Sequence, residues 1–385
     1  MKIKSLTYSE YPEQSKEWIL NDFILSDINL MVGKNSSGKS RTLNVIAGLA
    51  NLIVSPIVNV EAGSYYAEYV DGNDGISYEL NIFQNKVIKE ELTINGESVL
   101  TRKVNGLGSM KNIQAKMHLN FQMPNNVASI TRRDQIQYPY LESLYQWALN
   151  VRYFHFNTEL GKNHFNLDGS YSELREYNLR DTSKVVDLFI EGLHKYKKEF
   201  ENAIISDFNL IGYKISKIYL GPMLALKFHD NKLLKNGLLG ITIQETDRKG
   251  PTDQVSMSTG MFRALAIIIY MNFYELSNKH GTILIDDIGE GLDFERSRLL
   301  IDLLIEKASK NFVQLVMSTN DRFVMNNTPL EYWQVLDRVG GVVNIYNHLN
   351  SPQNFKDFRF TGLNNFDFFT TEFFKDGFSK ANSNE

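Results

Sequence analysis

The sequence contains no cysteine in 385 residues. Disulfides, thiolate nucleophiles and cysteine-based zinc sites are therefore excluded, and a reducing, cytoplasmic setting is the expectation. Histidine is scarce: the seven present show no paired ligand spacing. No apolar run approaches the roughly 18 residues of a membrane span, and Met1-Lys2-Ile3-Lys4 leads into a mixed polar stretch, so no membrane partner is expected. Charge of one sign is also missing, since 41 Lys+Arg stand against 45 Asp+Glu for a formal charge of −4. That excludes a broad basic surface, and any DNA or RNA contact has to be local or shared with a partner. Arg132-Arg133 and Lys195, Lys197 and Lys198 are candidates for such a contact, although short charge runs are usually solvated faces. There is no low-complexity segment, no internal repeat and no heptad run beyond a few turns. At about 100–200 residues per domain, the length predicts two or three structural units.

What is present alternates strand and helix signals. Residues 1–8 and 18–25 alternate apolar and polar as a hairpin would, and residues 28–32 form a short apolar strand. Residues 42–54 have apolar positions at helical spacing until Pro56 stops them. Residues 57–123 are β-branched and Tyr-rich, punctuated by Asn95-Gly96 and Asn105-Gly106, which predicts an antiparallel β-insert. A helix over 139–150, a strand over 151–156 and a charged, helix-prone stretch over 171–208 follow. The last carries Val185, Phe189, Leu193, Tyr196 and Phe200 on one face, read as core packing. Residues 211–245 return to strand alternation, and an apolar helix runs from Ser258 to Leu276. The apolar runs 282–285 and 314–318, separated by a helix over 294–309, have the pattern of parallel βαβ packing. The tail, 348–385, is rich in Phe and Asn; Asn364, Asn365, Phe366, Phe368 and Phe369 could dock a partner or cover a sheet edge.

Three motifs carry chemistry. Gly33-Lys34-Asn35-Ser36-Ser37-Gly38-Lys39-Ser40 fits G-x-x-x-x-G-K-[ST] between a strand and a helix. Polyphosphate oxygens need inward-turned backbone N–H groups, so Gly33 and Gly38 permit the tight loop and the helix opening near Lys39 adds its positive end. Lys39 would neutralise the β- and γ-phosphates and Ser40 would ligate Mg²⁺. The second motif is the strand 282–287, ending in Asp286-Asp287, where one carboxylate can hold a Mg²⁺ shell and the other can orient a water. The third is Ser258-Thr259-Gly260 at a helix start, which is either a plain N-cap or a docking point for a phosphate from another subunit.

In order along the chain, the phosphate loop, Ser258-Thr259-Gly260, Asp286-Asp287, Glu290-Gly291-Leu292-Asp293 and Ser318-Thr319-Asn320 together resemble the ABC-type ATPases of the SMC, RecF and OLD-like group. The resemblance implies an α/β ABC-ATPase head, a P-loop mixed sheet with an antiparallel β-subdomain and an inserted helical lobe. It divides the chain into a nucleotide-binding lobe with the β-insert (1–156), a helical lobe with strands (157–257), a segment with the signature helix, strand carboxylates and switch strand (258–347) and a tail packing on the head (348–385). It implies ATP and Mg²⁺ as cofactors. Gly33 to Ser40 and Arg41 would hold ATP; Ser258, Thr259 and Gly260 would contact the γ-phosphate in trans, and Asp293 would lie at a dimer seam. Ser40, Asp286 and Asn157, in the Q-loop position, would serve the metal, and Asp287, Glu290 and Asn320 the hydrolysis.

Two departures matter: Asp287 stands where the family usually has Glu, and Asn320 where it usually has His. Shortening a base by one methylene moves its oxygen by about an ångström, and Asn does not titrate near neutrality, so slow turnover is expected. The expected function is an ATPase subunit that forms an ATP-dependent homodimer, or a higher even-numbered oligomer, and controls a separate effector or a nucleic-acid partner. The residues after Asn320 are too few for the nuclease domain fused in OLD-like relatives, so an effector, such as a nuclease, would be a separate chain. Anti-phage defence or repair is the setting the resemblance implies. The alternative is a scaffold that binds ATP without hydrolysing it; a transporter motor fits poorly, given the long segment between Lys39 and Ser258.

Overall fold

The structure, a computed structural model, describes residues 1–166, 180–223, 238–311 and 313–380. Residues 171–179 of the helix-prone stretch and 224–237 of the strand-like stretch lie outside those described. The chain forms two units: residues 1–151 with 328–385, and residues 152–327.

In the first unit the expected hairpin is β1 (Lys2–Glu10) against β2 (Trp18–Ile24), antiparallel, with Ile3, Leu6, Tyr8, Trp18, Leu20 and Phe23 turned into the core. β1 also pairs with β4 (Ala62–Asp71), so the antiparallel insert extends the first hairpin as a meander through β5 (Asp74–Phe83), β6 (Lys86–Ile94), β7 (Glu97–Lys103), β8 (Leu107–Asn112) and β9 (Met117–Gln122). Asn95 and Gly96 join β6 to β7 with φ of 50° and 82°, the two left-handed residues that a tight hairpin turn requires. A buried pair fastens the meander: Glu90 accepts from the Ser129 and Ile130 amides and from Tyr78, while Arg102 donates to the Pro124 and Val127 carbonyls. Each buried charge is thus hydrogen-bonded, the condition under which burial is tolerated.

β3 (Ile28–Val32) is buried along its whole length and pairs in parallel with β16 (Trp333–Val339). β16 turns back into β17 (Val342–Tyr346), which pairs in parallel with β2. The loop 33–38 connects β3 to α1 (Lys39–Val54), whose buried face carries Leu43, Ile46, Leu49 and Ile53 and which stops ahead of Pro56. α2 (Tyr140–Leu149) packs on α1.

The aromatic tail makes its own core. α7 (Pro352–Phe358), α8 (Asn365–Thr370) and α9 (Phe373–Asp376) gather Phe355, Phe358, Phe373 and Phe374 around fully buried Phe368, which also meets Trp333. Asn364 caps α8 in a reciprocal capping box with Asp367, and Asn365 donates to the Thr328 carbonyl. Phe368 is thus committed to the fold, while Asn364 is exposed and Asn365, Phe366 and Phe369 are half-buried.

In the second unit β14 (Thr282–Asp286) lies between β10 (Val151–His155) and β15 (Gln314–Ser318). The parallel β14–β15 pair is joined through α5 (Phe294–Asn311), as the run spacing predicts. α4 (Thr259–Ser277) is buried on every side over residues 260–274 and packs against α3 (Val185–Leu210), with Tyr196 and Phe200 edge-on to Phe273. α3 breaks at Lys197 (φ 52°, ψ −128°), which folds Phe200 back on Gly192; a β-carbon at Gly192 would stand 2.2 Å from the Phe200 ring. Val185, Phe189 and Phe200 of the apolar stripe are core, with Leu193 and Tyr196 half-buried, but the break at Lys197 means that Phe200 reaches the core by a kink and not by continuous helical spacing. β11 (Ile215–Pro222), β12 (Leu239–Glu245) and β13 (Thr252–Asp253) form a small antiparallel sheet.

The basic candidates are largely engaged within the chain. Lys195 pairs with Glu191 at 2.6 Å, Lys198 with Glu201 at 2.7 Å and Arg133 with Glu142 at 2.8 Å, while Arg132 lies over Phe121. Such neutralised surface pairs give little long-range field for a polyanion.

Truncating Phe368 to Ala removes the centre of the tail cluster and should destabilise its packing by about 3–5 kcal/mol. Hydrogen exchange over residues 352–376 should accelerate in Phe368→Ala; unchanged protection there would refute the central role of this ring.

Candidate phosphate-binding and carboxylate sites

The phosphate loop hangs from the C-terminal end of buried β3, so its start is held by the sheet. Gly33 has no room for a side chain: a β-carbon would lie 2.4 Å from Ser37 Oγ and 3.0 Å from the Leu336 carbonyl. Ser36 (φ 63°) and Gly38 (φ 104°) take left-handed conformations, and the Ser37 amide donates to the Lys34 carbonyl, closing the turn. The ordinary reason for a helix-start residue, a side-chain cap, does not apply, because Gly38 at the N-cap of α1 has no side chain.

Lys39 is buried, and its ammonium donates back across the loop to the Gly33 carbonyl at 2.8 Å and the Lys34 carbonyl at 3.2 Å. Ser37 Oγ, Thr42 Oγ1 and Trp18 Nε1 are buried around the same loop and make no hydrogen bond among the described residues. Unsatisfied buried polar groups are costly, and a polyanion at the loop is a fitting partner for donors of this kind. Lys34, Asn35, Ser36 and Ser40 are exposed on the loop and its helix start. Arg41 lies over Trp18, its Cζ 4.6 Å from the ring centre, and is ion-paired to Glu10. Trp18 in turn underlies Gly38, whose absent β-carbon would stand 3.4 Å from the indole.

A cavity of about 320 Å³ opens beside the loop, between Lys34–Ser37, the Arg338 side of the β16–β17 hairpin and Glu372. Arg338 donates to the Ser36 carbonyl at 3.1 Å, and Lys34 bridges to Glu372 at 2.9 Å. Lys34 is therefore engaged with the tail.

The second unit holds the carboxylates. Asp286 is buried at the end of β14, and the Ser318 hydroxyl at the end of β15 donates to Asp286 Oδ1 at 2.6 Å. The same hydroxyl accepts from the Asp287 amide at 3.0 Å, holding Asp287 in a left-handed conformation (φ 57°). Asn320 donates to Asp287 Oδ1 at 3.4 Å. Asp287 and Asn320 share the wall of a cavity of about 430 Å³ with Glu290, which is exposed and turns its carbonyl to Arg263. Among the described residues no group of three or more acidic or histidine side chains could hold a metal unaided. Asp286, held by the Ser318 hydroxyl, is a carboxylate of the oxygen-donor kind that Mg²⁺ takes.

Ser258 caps α4, its Oγ accepting from the Met261 amide at 3.2 Å, and it is also exposed. Gly260 has a structural reason of its own: a β-carbon there would stand 2.0 Å from the Gly291 carbonyl. Thr259 is half-buried beside it. Asp293 is exposed, caps the first turn of α5 through the Arg296 amide and pairs with the Arg296 guanidinium; these donors hold its carboxyl below the usual range. Asn157 is exposed on the turn after β10.

Three contributors had no assigned role in the sequence reading. Buried Arg263, three residues after Gly260, donates to Thr158 and Glu290 carbonyls and so ties the turn beside Asn157 and the loop before Asp293 to the start of α4. Tyr153 on β10 hydrogen-bonds to Asp286, and burial together with the two aspartates pushes its phenol well above the usual range. Trp18 lies under the phosphate loop. The only local signals were an Arg inside the signature run, and aromatics on strands that read as ordinary core.

No protein-family model matches the sequence, and no curated protein matches it. Solved structures do resemble this one. An SMC head bound to the C-terminal winged-helix domain of ScpA is 13% identical with a TM-score of 0.51, covering 90% of this chain and 97% of that one. The SMC head of Pyrococcus furiosus, with an extended coiled coil and bound to the C-terminal domain of ScpA, is 12% identical with a TM-score of 0.49, covering 93% and 99%. The SMC head domain of Thermotoga maritima is 13% identical with a TM-score of 0.45, covering 90% and 99%. At such identities the likeness is one of fold, and the mixed sheets and helices described above agree with it: the chain has the fold of an SMC head domain.

Proposed function

We propose that the protein binds ATP with Mg²⁺ and that two copies close on the nucleotide, each capping the other's γ-phosphate with its Ser258-Thr259-Gly260 helix start. The observation that carries this reading is the loop itself: a buried lysine folded over left-handed Ser36 and Gly38, with buried orphan hydroxyls and an indole N–H around it. Lys39, the loop amides and Ser40 hold the phosphates in this account, and Arg41 on Trp18 lies at the rim. Mg²⁺ would be held with Ser40 at the phosphate loop, and it would screen the phosphate charge; Asp286 and Asn157 are the further candidates on the metal side. Asp287, steadied by Asn320, orients the attacking water, with Glu290 exposed beside it. Asp293 marks the seam between copies.

Hydrolysis is slow in this reading. Asp287 reaches one methylene less far than Glu, and its neighbour Asn320 can donate a hydrogen bond but takes no proton near neutrality. The same observation favours a second reading, in which ATP holds the pair closed without turnover. In both, the closed pair is the signal, delivered to a separate effector, such as a nuclease, or to DNA or RNA in a cytoplasmic defence or repair role.

Lys39→Ala should abolish binding of labelled ATP, and intact affinity would refute the phosphate assignment. Asp287→Asn should lower phosphate release further, by about 10²-fold or more if Asp287 acts as base, while leaving ATP affinity in place; an unchanged rate removes Asp287 from the chemistry. Ser258→Arg should bind ATP but sediment as a monomer with it, where the wild type forms a pair; identical profiles for both would remove the dimer.

A further inference from the structure

The end of β14 is gripped from the strands on either side of it. β15 supplies the Ser318 hydroxyl, 2.6 Å from Asp286 Oδ1, and β10 supplies the Tyr153 hydroxyl to the same carboxylate. β10 is held in place at this point by the Phe156 amide, which donates to the Asp286 carbonyl at 3.0 Å, and by Thr182, whose hydroxyl donates to the Tyr153 carbonyl at 2.8 Å. Tyr153 is braced further by His155, whose ring centre lies 3.8 Å from its own.

Ser318 does two things with one oxygen. It donates its only proton to Asp286 and accepts the Asp287 amide at 3.0 Å, so the direction of the metal-side carboxylate and the backbone of the water-side aspartate are set by one group. The Ile288 amide donating to the Ser318 carbonyl at 2.8 Å locks the same two segments a second time. Asp287 sits at φ 57°, a conformation disfavoured for a residue with a side chain, and it persists where the surroundings over-determine it.

We infer that Ser318, assisted by Tyr153, is a positioning residue that sets the Asp286 carboxylate for a divalent cation and couples that setting to Asp287. The inference rests on the proposed ATP and Mg²⁺ reading of the site. Groups that orient metal-binding carboxylates in this way typically contribute 10–100-fold to metal affinity or activity. A hydroxyl is required and little else, so threonine should serve in place of serine.

The test uses the full chain with ATP and follows Mn²⁺ binding by electron paramagnetic resonance, with ATP affinity in EDTA measured in parallel. Ser318→Ala should weaken Mn²⁺ binding about 10-fold or more, Ser318→Thr should restore it, and ATP affinity in EDTA should not change in either. Tyr153→Phe, which removes one hydroxyl from a half-buried ring and keeps the packing, should weaken Mn²⁺ binding in the same direction, and it stands in if Ser318→Ala fails to fold. Asp286→Asn separates the two levels of the argument. If Asp286→Asn weakens Mn²⁺ binding while Ser318→Ala and Tyr153→Phe do not, the positioning role is overturned and the metal assignment stands. If Asp286→Asn has no effect, the metal assignment itself fails.

Discussion

The first unit depends on a loop that cannot be built from ordinary residues in ordinary conformations. Gly33 is pressed against Ser37 and the Leu336 carbonyl, Ser36 and Gly38 turn left-handed, and the Lys39 ammonium is drawn into the loop by the Gly33 and Lys34 carbonyls. Burying an ammonium is costly unless hydrogen bonds replace its water. The loop supplies them from its own backbone, and that requires the backbone to curl around the amine. The curl leaves the first amides of α1 without side-chain caps, with the positive end of the helix facing the same place. The conformation that shelters the lysine is thus also the one that presents donors to an anion.

A second constraint follows from the sheets. β3, β14 and β15 are buried along their whole lengths, and the chain first reaches solvent just past their C-terminal ends, at Lys34, Asp287 and Asn320. The phosphate loop, Asp286-Asp287 and Ser318-Thr319-Asn320 all lie at such ends. Their positions are rigid because the strands are, and their side chains are steadied by neighbours: Asp286 by Ser318 and Tyr153, Asp287 by Asn320, and Asp293 by Arg296.

Much of this was legible in the sequence because its determinants are local. The loop follows a fixed spacing, the apolar runs before Gly33 and Asp286 announce buried strands, and Asn95-Gly96 specifies its own turn. What escaped depends on contacts between distant segments. Nothing near Trp18 says that it will underlie Gly38, and nothing in Val151–His155 says that Tyr153 will meet Asp286. Gly260 was legible only as a signature glycine, whereas its close approach to the Gly291 carbonyl gives it a packing reason as well. The meander's continuity with the β1–β2 hairpin rests on β1 pairing with β4, a register that alternation alone does not choose. The lysines of α3 read as a solvated face, and their pairing with glutamates three and four residues away is what helical geometry adds to that reading. For the tail's aromatics the sequence left partner docking and covering of a sheet edge open, and their mutual packing around Phe368 depends on contacts that no local pattern specifies.

The central claim is that the turn between β3 and α1 grips a triphosphate. Hydrogen exchange on the full chain, with and without a non-hydrolysable ATP analogue and Mg²⁺, tests it most directly. The account predicts strong new protection of the amides from Ser36 to Arg41, whose N–H groups would be taken up by phosphate oxygens. Unchanged exchange across these residues at a saturating concentration of the analogue would contradict it.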